Sequence, residues 1–467
     1  MRRLSPLILA LTLIACGLPA AAPAATPPIK HVWIVVLENK DYEDSFGPDT
    51  EAPYLAHELT KTGQLLRNYY GTSHASLGNY ITMVSGQAPN ADTQGDCMTG
   101  FKDIFPGIVA PDGQVVGQGC IYPAAVKTIA GQLQEKGLTW RGYMEDMAAT
   151  PGAPPSCRHP EIGDNDDTQS ARAHDQYATR HNPFVYFHSI IDDRANCEGN
   201  DVDLKQLLED VKSPATTPNY AFITPDLCND GHDASCADGG PGGLQAADRF
   251  LQIWVPRILK SPGFSDSGLL IITWDEANID PDSSTACCDQ PTGPNTPSPG
   301  ILGPGGGRTG TVLISPFVQG GSVNDTSYNH YGLLRSTEDL FGLGHLGYAG
   351  NEGLKPFGDD VYNAKKPTPP RAPTGVCHAA RSGNVVAGVR LRGRLLTFRA
   401  RRTAKIRITL HFGKRRHGRS LKRPNRVVAC RTYRVKVPSG TRRVSVTGGG
   451  RTQRVKRGPS GEHDPRS

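Results

Sequence analysis

Two side chains with metal-ligating oxygens, Glu38 and Asn39, follow an uninterrupted apolar run in the sequence. The run, residues 32–37, is rich in β-branched side chains, which is typical of a strand buried on both faces of a parallel sheet. Ligands of open α/β sheets bind beyond the carboxyl ends of such strands, and hard divalent cations prefer oxygen donors. The position therefore predicts that Glu38 and Asn39 bind a cation. From this motif alone, a glutamate that merely caps a loop is the alternative.

Acidic residues also follow two other predicted strands. Asp226 comes shortly after residues 220–223, and Asp275 and Glu276 come shortly after residues 269–273. Carboxylates that converge on one crevice repel each other unless a cation neutralises them. The sequence therefore favours a cation site at this edge of the sheet.

A serine, Ser76, stands at the start of an apolar, helix-like stretch, and Asn79 follows three positions later. A hydroxyl at a helix N-terminus suits a nucleophile that attacks a phosphate group, because the helix dipole and the free backbone N–H groups favour phosphate oxygens. An ordinary serine N-cap would give the same local sequence. This motif alone does not distinguish a nucleophilic serine from a serine N-cap, and other parts of the sequence are needed.

Predicted strands alternate with predicted helices and loops over the first part of the chain. This alternation is typical of an α/β domain with a mainly parallel sheet flanked by helices. We predict strands at residues 32–37, 140–144, 220–223, 269–273 and 311–314. We predict helices at residues 54–62, 202–211, 244–259 and 332–341.

The first 25 residues are predicted to be a signal peptide. Arg2 and Arg3 form a positive start, residues 7–15 are apolar but too short to span a bilayer, and a small-residue pattern follows. Cys16 lies in a sequence that also resembles a lipoprotein cleavage box, so a lipid anchor at Cys16 is the alternative. No later segment approaches 18 uninterrupted apolar residues. We therefore predict a secreted or cell-surface protein without a transmembrane helix.

The chain has 11 cysteines, and removal of the signal peptide leaves ten, an even number that fits disulfides in an oxidising compartment. Cys228 and Cys236 are close enough in sequence to close one loop. Cys287 and Cys288 are adjacent, so they either have different partners or form a vicinal bridge. The sequence contains no CxxC pair of the kind found in zinc sites.

The formal net charge of +6 hides an asymmetry along the chain. Residues 371–467 contain 27 Lys and Arg but 2 Asp and Glu, a net charge of +25, whereas the first 370 residues carry a net charge of −19. A Pro-rich stretch precedes the change, which is typical of a domain boundary. We predict an α/β domain over residues 28–365, a linker over 366–376, a basic β domain over 377–447 and a disordered tail over 448–467.

The basic domain contains short alternating segments separated by Gly, Pro and Asn, which predict a small β-sandwich-like fold with one disulfide between Cys377 and Cys430. Its charge favours contact with polyanions, namely nucleic acid, anionic lipid head groups or acidic cell-wall polymers. Aromatic residues are few, so base stacking is poorly supported and we predict no specific nucleic-acid recognition. A basic bias without a ligand is the alternative. We predict strands at residues 385–396, 404–412, 427–437 and 442–446.

Seven motifs in a fixed order carry a family resemblance. They read LENKDY, SHASLGNY, RHNPFVYF, TPDLCNDGHD, ITWDE, LISPFV and YNHYGLLRSTEDLF, at residues 37–42, 73–80, 180–187, 224–233, 272–276, 313–318 and 328–341. Together they resemble the bacterial phosphoesterase family of secreted acid phosphatases and phospholipases C, over roughly residues 30–360. That family belongs to the alkaline phosphatase superfamily, so the resemblance implies an alkaline-phosphatase-like α/β fold.

The resemblance also implies roles for individual residues. Ser76 would be the metal-bound nucleophile and the site of a transient phosphoserine, and Asn79 would help bind a phosphoryl oxygen. Gly78 stands where related members have Pro. His181 and His74 are candidates for substrate contacts, with closure of a turn as the alternative for His181. A divalent ion (Ca²⁺, Mg²⁺, Mn²⁺ or Zn²⁺) would be held by Glu38, Asn39, Ser76, Asp275 and Glu276. More distant candidates for a second metal site, or for binding phosphate and protonating the leaving group, are Asp226, His232 and His330.

The chemistry of these residues agrees with the implied roles. Metal coordination lowers the pKa of a serine hydroxyl and neutralises charge on the phosphoryl oxygens. We therefore expect a secreted, metal-dependent phosphoesterase that hydrolyses phosphate monoesters through a phosphoserine intermediate. A phospholipase C acting on phosphodiesters is the alternative within the class. A non-catalytic surface-binding protein on the same fold is the alternative outside it, because the residues around Ser76 depart from the family pattern.

Overall fold

The structure is a computed structural model that describes residues 26–149, 152–232, 235–364 and 384–456, with short gaps at 393, 402–403, 413–417, 422–425 and 428–431. The predicted signal peptide with Cys16, the predicted linker, Cys377, Cys430 and residues 457–467 lie outside the described residues. Among the residues described, no helix combines the length and the apolar character needed to cross a bilayer.

Twelve strands precede the basic region in the described residues. They are β1 (His31–Leu37), β2 (Gln64–Leu66), β3 (Tyr69–Tyr70), β4 (Phe105–Val109), β5 (Val115–Gln118), β6 (Trp140–Met144), β7 (Asp201–Asp203), β8 (Tyr220–Thr224), β9 (Gly268–Trp274), β10 (Thr311–Ile314), β11 (Val323–Asn324) and β12 (Tyr328–Asn329). Eight of them form one sheet in the order β11-β2-β10-β9-β1-β8-β6-β7. Five of its seven pairings are parallel, which confirms the predicted mainly parallel sheet.

Helices flank this sheet on both faces. They are α1 (Tyr42–Phe46), α2 (Thr60–Thr62), α3 (Ser76–Ser85), α4 (Ile129–Glu135), α5 (His188–Ile191), α6 (Arg194–Asn200), α7 (Leu207–Asp210), α8 (Gly243–Leu259) and α9 (His330–Phe341). A π-helix (Tyr54–Leu59) leads into α2, and 3₁₀ turns lie at Thr93–Gly95, Thr179–His181, Pro183–Tyr186, Leu204–Gln206 and Gly347–Gly350.

The central strand β1 explains why its sequence is apolar without alternation. Its even-numbered residues from Val32 to Val36 pack in one hydrophobic core, together with residues of α3, α4 and α9. Its odd-numbered residues from Trp33 to Leu37 pack in the opposite core, together with residues of α8. Successive side chains of a strand point to opposite faces, so a strand covered on both faces needs apolar residues at every position.

The five strands predicted for this domain are confirmed within one residue at each end. The helix predicted at residues 202–211 is wrong in its first part. Asp201–Asp203 form β7, which extends the sheet beside β6, and the helical turns begin only at Leu204. The Asp203 carboxylate accepts a hydrogen bond from the Lys205 backbone N–H at 2.9 Å, which starts those turns. The predicted helix at residues 54–62 forms mostly as the π-helix that precedes α2.

Helix α9 carries a buried carboxyl group that makes stability depend on pH. The Glu338 side chain is fully buried, its Oε1 accepts a hydrogen bond from the Leu346 backbone N–H at 3.0 Å, and its Oε2 has no hydrogen-bond partner. Burial raises the pKa of Glu338 to about 9. A pKa that is raised in the folded state lowers the free energy of unfolding as pH rises from the unfolded value of about 4.3 toward 9.

We therefore expect Glu338→Gln to be the more stable protein at pH 8. The amide keeps the acceptor for Leu346 and removes the cost of a buried ionisable group. The gain should be at least about 1 kcal/mol, or roughly 2–4 °C in Tm. Thermal unfolding at pH 5 and pH 8 checks this, because the gain must grow with pH. A variant that is less stable at both pH values contradicts the prediction.

The described residues after 384 form two antiparallel sheets with their own core. The strands are β13 (Val386–Arg392), β14 (Leu395–Ala400), β15 (Ala404–Phe412), β16 (Arg419–Ser420), β17 (Arg426–Val427), β18 (Thr432–Lys436), β19 (Thr441–Gly448) and β20 (Arg451–Lys456). One sheet has the order β13-β14-β18; the other has the order β16-β15-β19-β20, with β17 also paired to β15.

Two predictions for this region are wrong. The single strand predicted at residues 385–396 is divided between β13 and β14, which form an antiparallel pair. The tail predicted to be disordered from residue 448 contains β20, which pairs with β19 through a two-residue turn. Gly449 and Gly450 form that turn with φ of 59° and 76°, which is the positive-φ geometry of a tight hairpin.

Four disulfides form among the described cysteines: Cys97–Cys120, Cys157–Cys197, Cys228–Cys236 and Cys287–Cys288. The expected loop closure between Cys228 and Cys236 is therefore present, and the adjacent pair forms the vicinal bridge. The bridge at Cys97 lies beside Asp96, a residue of the pocket described next.

Candidate active site

Neighbouring strands β1 and β9 place two carboxyl groups side by side. The strands are parallel and in register, with Leu37 beside Trp274, so the residues that follow, Glu38 and Asp275, leave the sheet together. Both side chains are fully buried. Burial and the charge of Glu38 raise the pKa of Asp275 well above its usual range. If both carboxyl groups at this edge of the sheet were ionised, their charges would repel each other strongly, because neither is exposed to water.

Asn39 connects these acidic residues. It adopts a positive φ of 51°, a conformation that Asn tolerates better than most residues. Its backbone N–H donates to Asp275 Oδ1 at 3.0 Å, and its Nδ2 donates to Glu276 Oε1 at 2.8 Å. Its Oδ1 is buried without a hydrogen-bond partner, as is Asp275 Oδ2.

Ser76 is the first residue of α3 and points at Glu38. Its Oγ donates to Glu38 Oε2 at 2.7 Å, and the hydroxyl of Tyr80, one turn later, donates to Glu38 Oε1. Burial alone would raise the pKa of Glu38, but the electrostatic interaction with the neighbouring His181 and the hydrogen bonds from Tyr80 and Ser76 hold the pKa below its ordinary value. The Glu38 carboxylate thus accepts the hydrogen bond of the Ser76 hydroxyl at the positive end of a helix dipole.

Asn79 holds the loop that precedes Ser76. Its Oδ1 accepts from the backbone N–H groups of Thr72 and Ser73 at 2.8 and 2.9 Å, and its Nδ2 donates to the Ser73 carbonyl at 2.9 Å. The side chain is fully buried, and its amide faces this loop instead of the pocket. This placement differs from the predicted phosphoryl contact and makes Asn79 a positioning residue in this structure.

Gly78 allows the same loop to lie close to the helix. A Cβ at this position would come 2.5 Å from Ser73 Oγ and 2.9 Å from Ser73 Cβ. A larger residue would therefore require Ser73 to move. The close approach gives a physical reason for the departure from the Pro of related members.

His74 forms a buried pair with Glu276. Its Nδ1 is hydrogen-bonded to Glu276 Oε2, and both side chains are fully buried. Burial lowers the pKa of His74 to about 4, whereas burial and the neighbouring Asp275 raise the pKa of Glu276. Glu276 lines the pocket, and His74 lies behind it. The predicted substrate contact of His74 therefore becomes, in this arrangement, support for Glu276.

His181 lies behind Glu38. Its ring stacks on Tyr80 with a centroid distance of 5.3 Å and an interplanar angle of 9°. Its Nε2 is 3.4 Å from Glu38 Oε1, and its Nδ1 is 3.8 Å from Asp230 Oδ2. Burial lowers the pKa of His181 to about 3, so the ring is neutral at physiological pH. Asp230, whose side chain is also fully buried, belongs to this cluster.

A pocket of about 360 Å³ opens on Ser76. This volume lies in the range of small-ligand sites. Its lining is Asn39, Ala75, Ser76, Asp96, Met98, Gln169, Ser170, Arg180, His232, Glu276, Asn278 and Ile279. The pocket thus joins the predicted nucleophile to acidic and cationic side chains from distant parts of the chain.

Arg180 and Asp96 are the charged residues of the pocket lining that sequence reasoning missed. The Arg180 side chain is only 11% exposed, its Nη1 donates to the Gln169 carbonyl at 3.0 Å, and its Nε is 3.8 Å from Asp96 Oδ2. Asp96 Oδ1 accepts from the backbone N–H of Leu77 at 2.9 Å, at the N-terminus of α3. Arg180 stood in a motif that the sequence singled out, but its proximity to Ser76 depends on the tertiary fold.

Two of the predicted second-site residues, His232 and Asp226, have different positions relative to this pocket. His232 lines it, and the His232 backbone N–H donates to Asp230 Oδ1 at 2.9 Å. Asp226 does not line it: its Oδ1 accepts from the backbone N–H groups of Cys228 and Asn229 at 3.0 and 2.9 Å and closes a local turn. This geometry does not place Asp226 in the predicted second metal site.

His330 stands behind Asp275. Its Nε2 is hydrogen-bonded to the Asp275 carbonyl oxygen at 2.5 Å, and its Nδ1 to the Tyr69 hydroxyl at 3.0 Å. Both ring nitrogens are therefore occupied, and the side chain is fully buried. This geometry does not place His330 in the predicted roles of proton donor or metal ligand, since both nitrogens are hydrogen-bonded elsewhere. His330 instead supports the backbone of Asp275.

The donor set at this edge fits a hard divalent cation. Glu38, Asp275 and Glu276 are buried carboxyl groups, and Asn39 Oδ1 and Asp275 Oδ2 are buried oxygens without hydrogen-bond partners. Such oxygens are costly to bury unless a cation or donor satisfies them. Within the described ranges, no three His, Cys, Asp or Glu side chains already form a metal-coordinating group. The types and the burial of these residues therefore suit a divalent cation. In this structure, their carboxylates are hydrogen-bonded to neighbouring residues.

Comparisons with known proteins assign the chain to a family. The model of the phosphoesterase family matches residues 48–344, more than half of the chain, including Ser76, Arg180 and Asp275 but not Glu38. A phosphate-repressible acid phosphatase of Penicillium chrysogenum is 28% identical over 319 residues, which are 68% of this chain and 59% of that protein. An acid phosphatase of Aspergillus fumigatus is 28% identical over 68% of this chain and 55% of its own length. This chain thus spans little more than half of these fungal relatives.

Two further similarities extend beyond fungi. A phosphatidylinositol-3-phosphatase of Mycobacterium tuberculosis is 23% identical over 71% of this chain and 83% of that protein. A solved protein of the alkaline phosphatase superfamily from Vibrio parahaemolyticus aligns with 84% of this chain and 82% of that chain, with 12% identity and a TM-score of 0.41. The match over residues 48–344 is the basis of the assignment: the chain belongs to the phosphoesterase family.

Proposed function

We propose that this protein is an exported, metal-dependent phosphomonoesterase that uses Ser76 as its nucleophile. One observation carries the proposal: the Ser76 hydroxyl, at the N-terminus of α3, donates to the buried Glu38 and opens on a pocket that also contains Arg180. The acid phosphatases among the relatives support the same reaction class.

The proposed reaction has two steps. Ser76 Oγ gives its proton to Glu38 and forms a bond to phosphorus, while the bond from phosphorus to the leaving oxygen breaks. His232, the imidazole in the pocket lining, donates a proton to that oxygen. In the second step, His232 takes a proton from a water molecule whose oxygen bonds to phosphorus, and the bond from phosphorus to Ser76 Oγ breaks. Glu38 returns its proton to Oγ, which restores the serine hydroxyl and releases inorganic phosphate. A divalent ion held by Glu38, Asn39, Ser76, Asp275 and Glu276 would neutralise negative charge on the reacting oxygens.

Arg180 supplies the cation that a phosphate monoester needs. Its guanidinium lies in the pocket wall and is almost buried, so solvent screens its charge little. Hydrogen bonds to a charged group contribute about 1.5–3 kcal/mol, which corresponds to roughly 10–100-fold in binding. We expect Arg180→Met to raise KM by that factor and Arg180→Lys to recover part of the loss. Steady-state kinetics on p-nitrophenyl phosphate check this prediction.

Arg172→Met is the matched control for Arg180. Arg172 is 52% exposed, pairs with Asp175 and lies outside the pocket. We expect its KM to change by less than about twofold. Equal KM for the two methionine variants would remove Arg180 from substrate binding.

Parallel assays separate the candidate functions. The purified mature protein should hydrolyse p-nitrophenyl phosphate faster than bis-p-nitrophenyl phosphate from acid to alkaline pH. Faster diester cleavage would favour the phospholipase C alternative. No turnover of either ester by a folded, metal-supplied protein would favour the non-catalytic alternative. Phosphatidylinositol 3-phosphate belongs in the same panel, because a relative that this chain covers over 83% of its length is named for that substrate.

We propose that the protein is exported from the cell. The predicted signal peptide and four disulfides among the described cysteines support an oxidising compartment. Secretion with cleavage near residue 25 and lipid attachment at Cys16 give different mature N-termini. Mass spectrometry of the protein from culture medium and from membranes distinguishes them.

A further inference from the structure

One face of the β15-β19-β20 sheet carries a dense set of cations. Cross-strand registry places His411, Arg443 and Lys456 in one row across the three strands. Two further rows are Thr409, Ser445 and Arg454, and then Arg407, Thr447 and Thr452. Lys405 continues the same alternation along β15. We call the side of the sheet that bears Lys405, Arg407, Arg443, Arg454 and Lys456 the cationic face.

The opposite side of this sheet belongs to the core. Ile406, Ile408 and Leu410 of β15 and Val444 and Val446 of β19 are buried in one hydrophobic cluster. Since side chains alternate along a strand, the cationic face points away from that core. Lys405, Arg407, Arg454 and Lys456 are exposed. The fold therefore sorts this basic sequence into an apolar inner side and a charged outer side.

Nothing of opposite sign balances the cationic face within its own domain. The sequence from residue 384 to residue 456 contains no Asp or Glu. Between the cations lie hydroxyl side chains, and Thr447 and Thr452 are hydrogen-bonded to each other at 2.8 Å. Like charges on one sheet face repel each other, and an anionic partner removes this cost.

The spacing of the charges favours an extended partner. Strands lie about 4.8 Å apart and alternate residues about 7 Å apart, so the cations are spread over a surface and do not converge on one point. A small anion would touch few of them, whereas a polymer lying across the strands would touch many. The neutral positions in these rows are serine and threonine. These rows therefore offer no large apolar side chain that could insert into a bilayer.

We propose that the cationic face binds an extended, soluble anionic polymer and thereby holds the exported protein on it. The chemistry of recognition is multiple Lys and Arg contacts to regularly spaced carboxylate or phosphate groups. Poly-glutamate and polyphosphate represent these two sources. Binding should weaken steeply with salt, because each contact displaces counterions.

The test compares two charge-matched variants of the full mature chain. The face variant replaces Lys405, Arg407, Arg454 and Lys456 by Gln. The control variant replaces four exposed residues of the first domain by Gln: Lys61, Lys127, Arg194 and Lys205. Both variants lose four positive charges, so net charge cannot explain a difference. The far-ultraviolet circular dichroism spectrum and the thermal unfolding of each variant, matched to those of the unmodified chain, show that both the first domain and the β sheets after residue 384 are folded.

Poly-glutamate is the main probe, since it is not a phosphate ester; polyphosphate is used in the Ser76→Ala background to exclude binding as a substrate. We expect the face variant to bind either polymer at least tenfold more weakly at low salt, and the control to change by less than about twofold. Equal losses in both variants, or no binding by the unmodified chain at low salt, would overturn the proposal. So would preferential binding to phosphatidylglycerol vesicles, which would identify a membrane partner instead. If the face variant loses binding to only one of the two polymers, the anionic group of that polymer, carboxylate or phosphate, is the one that the cationic face recognises.

Discussion

Ser76→Ala is expected to lower kcat for p-nitrophenyl phosphate by at least about 10³-fold, with little change in the fold. The hydroxyl lies in the pocket lining, and its hydrogen bond to Glu38 directs its proton at an acceptor before the reaction begins. Alanine is a good helix residue at the start of α3, so the secondary structure should persist. Acid quenching during turnover should yield a phosphorylated peptide containing Ser76 from the unmodified protein only.

Ser85→Ala provides the matched control for this prediction. Ser85 is a buried serine of the same helix, and its hydroxyl donates to the Ile81 carbonyl at 2.7 Å, within the helix itself. Its loss removes one local hydrogen bond and should leave kcat within about twofold. Turnover that survives in Ser76→Ala would mean that another group is the nucleophile and would refute the proposed mechanism.

The sequence predicted that Glu38 and Asp275 lie together at the ends of strands, and the structure agrees, because their positions depend on local pattern. An unbroken apolar run requires a strand covered on both faces, and the residue after it must leave the sheet at the ligand-binding edge. Glu38 and Asp275 follow this logic, and the parallel register of β1 and β9 brings them together. A different local pattern, a serine that precedes an apolar helix-like stretch, placed Ser76 at the start of α3.

The orientation of a side chain is a tertiary property that motif reading could not supply. Asn79 and His330 stand in motifs with active-site residues, yet their polar atoms hold a loop and a carbonyl behind the pocket. Arg180 and Asp96 are 84 positions apart in sequence and meet only because separate loops fold over Ser76. Likewise β20 was missed because its pairing depends on a partner strand and a two-glycine turn, and its own pattern is mostly polar.

Chelation is expected to lower turnover by at least about 10²-fold, and Asp275→Asn should have the same effect with metal present. The substitution is selective for the proposed ligand atom. Asp275 Oδ1 accepts the backbone N–H groups of Asn39 and Glu276, and an asparagine keeps that acceptor. The Oδ2 position, which has no hydrogen-bond partner, becomes an amide that cannot act as an anionic ligand.

Asp226→Asn distinguishes loss of a ligand from loss of any buried acid. Asp226 also follows a strand of the sheet, its pKa is raised to about 6 by burial, and its Oδ1 closes a turn that asparagine can keep. Because Asp226 lies outside the pocket, we expect this variant to retain metal and most of its activity. Metal content by elemental analysis and thermal stability with added Ca²⁺, Mg²⁺, Mn²⁺ or Zn²⁺ provide readouts that do not depend on turnover. Equal metal loss in both variants would return Asp226 to the ligand set, and unchanged metal content and activity in Asp275→Asn would exclude a cation at the ends of β1 and β9.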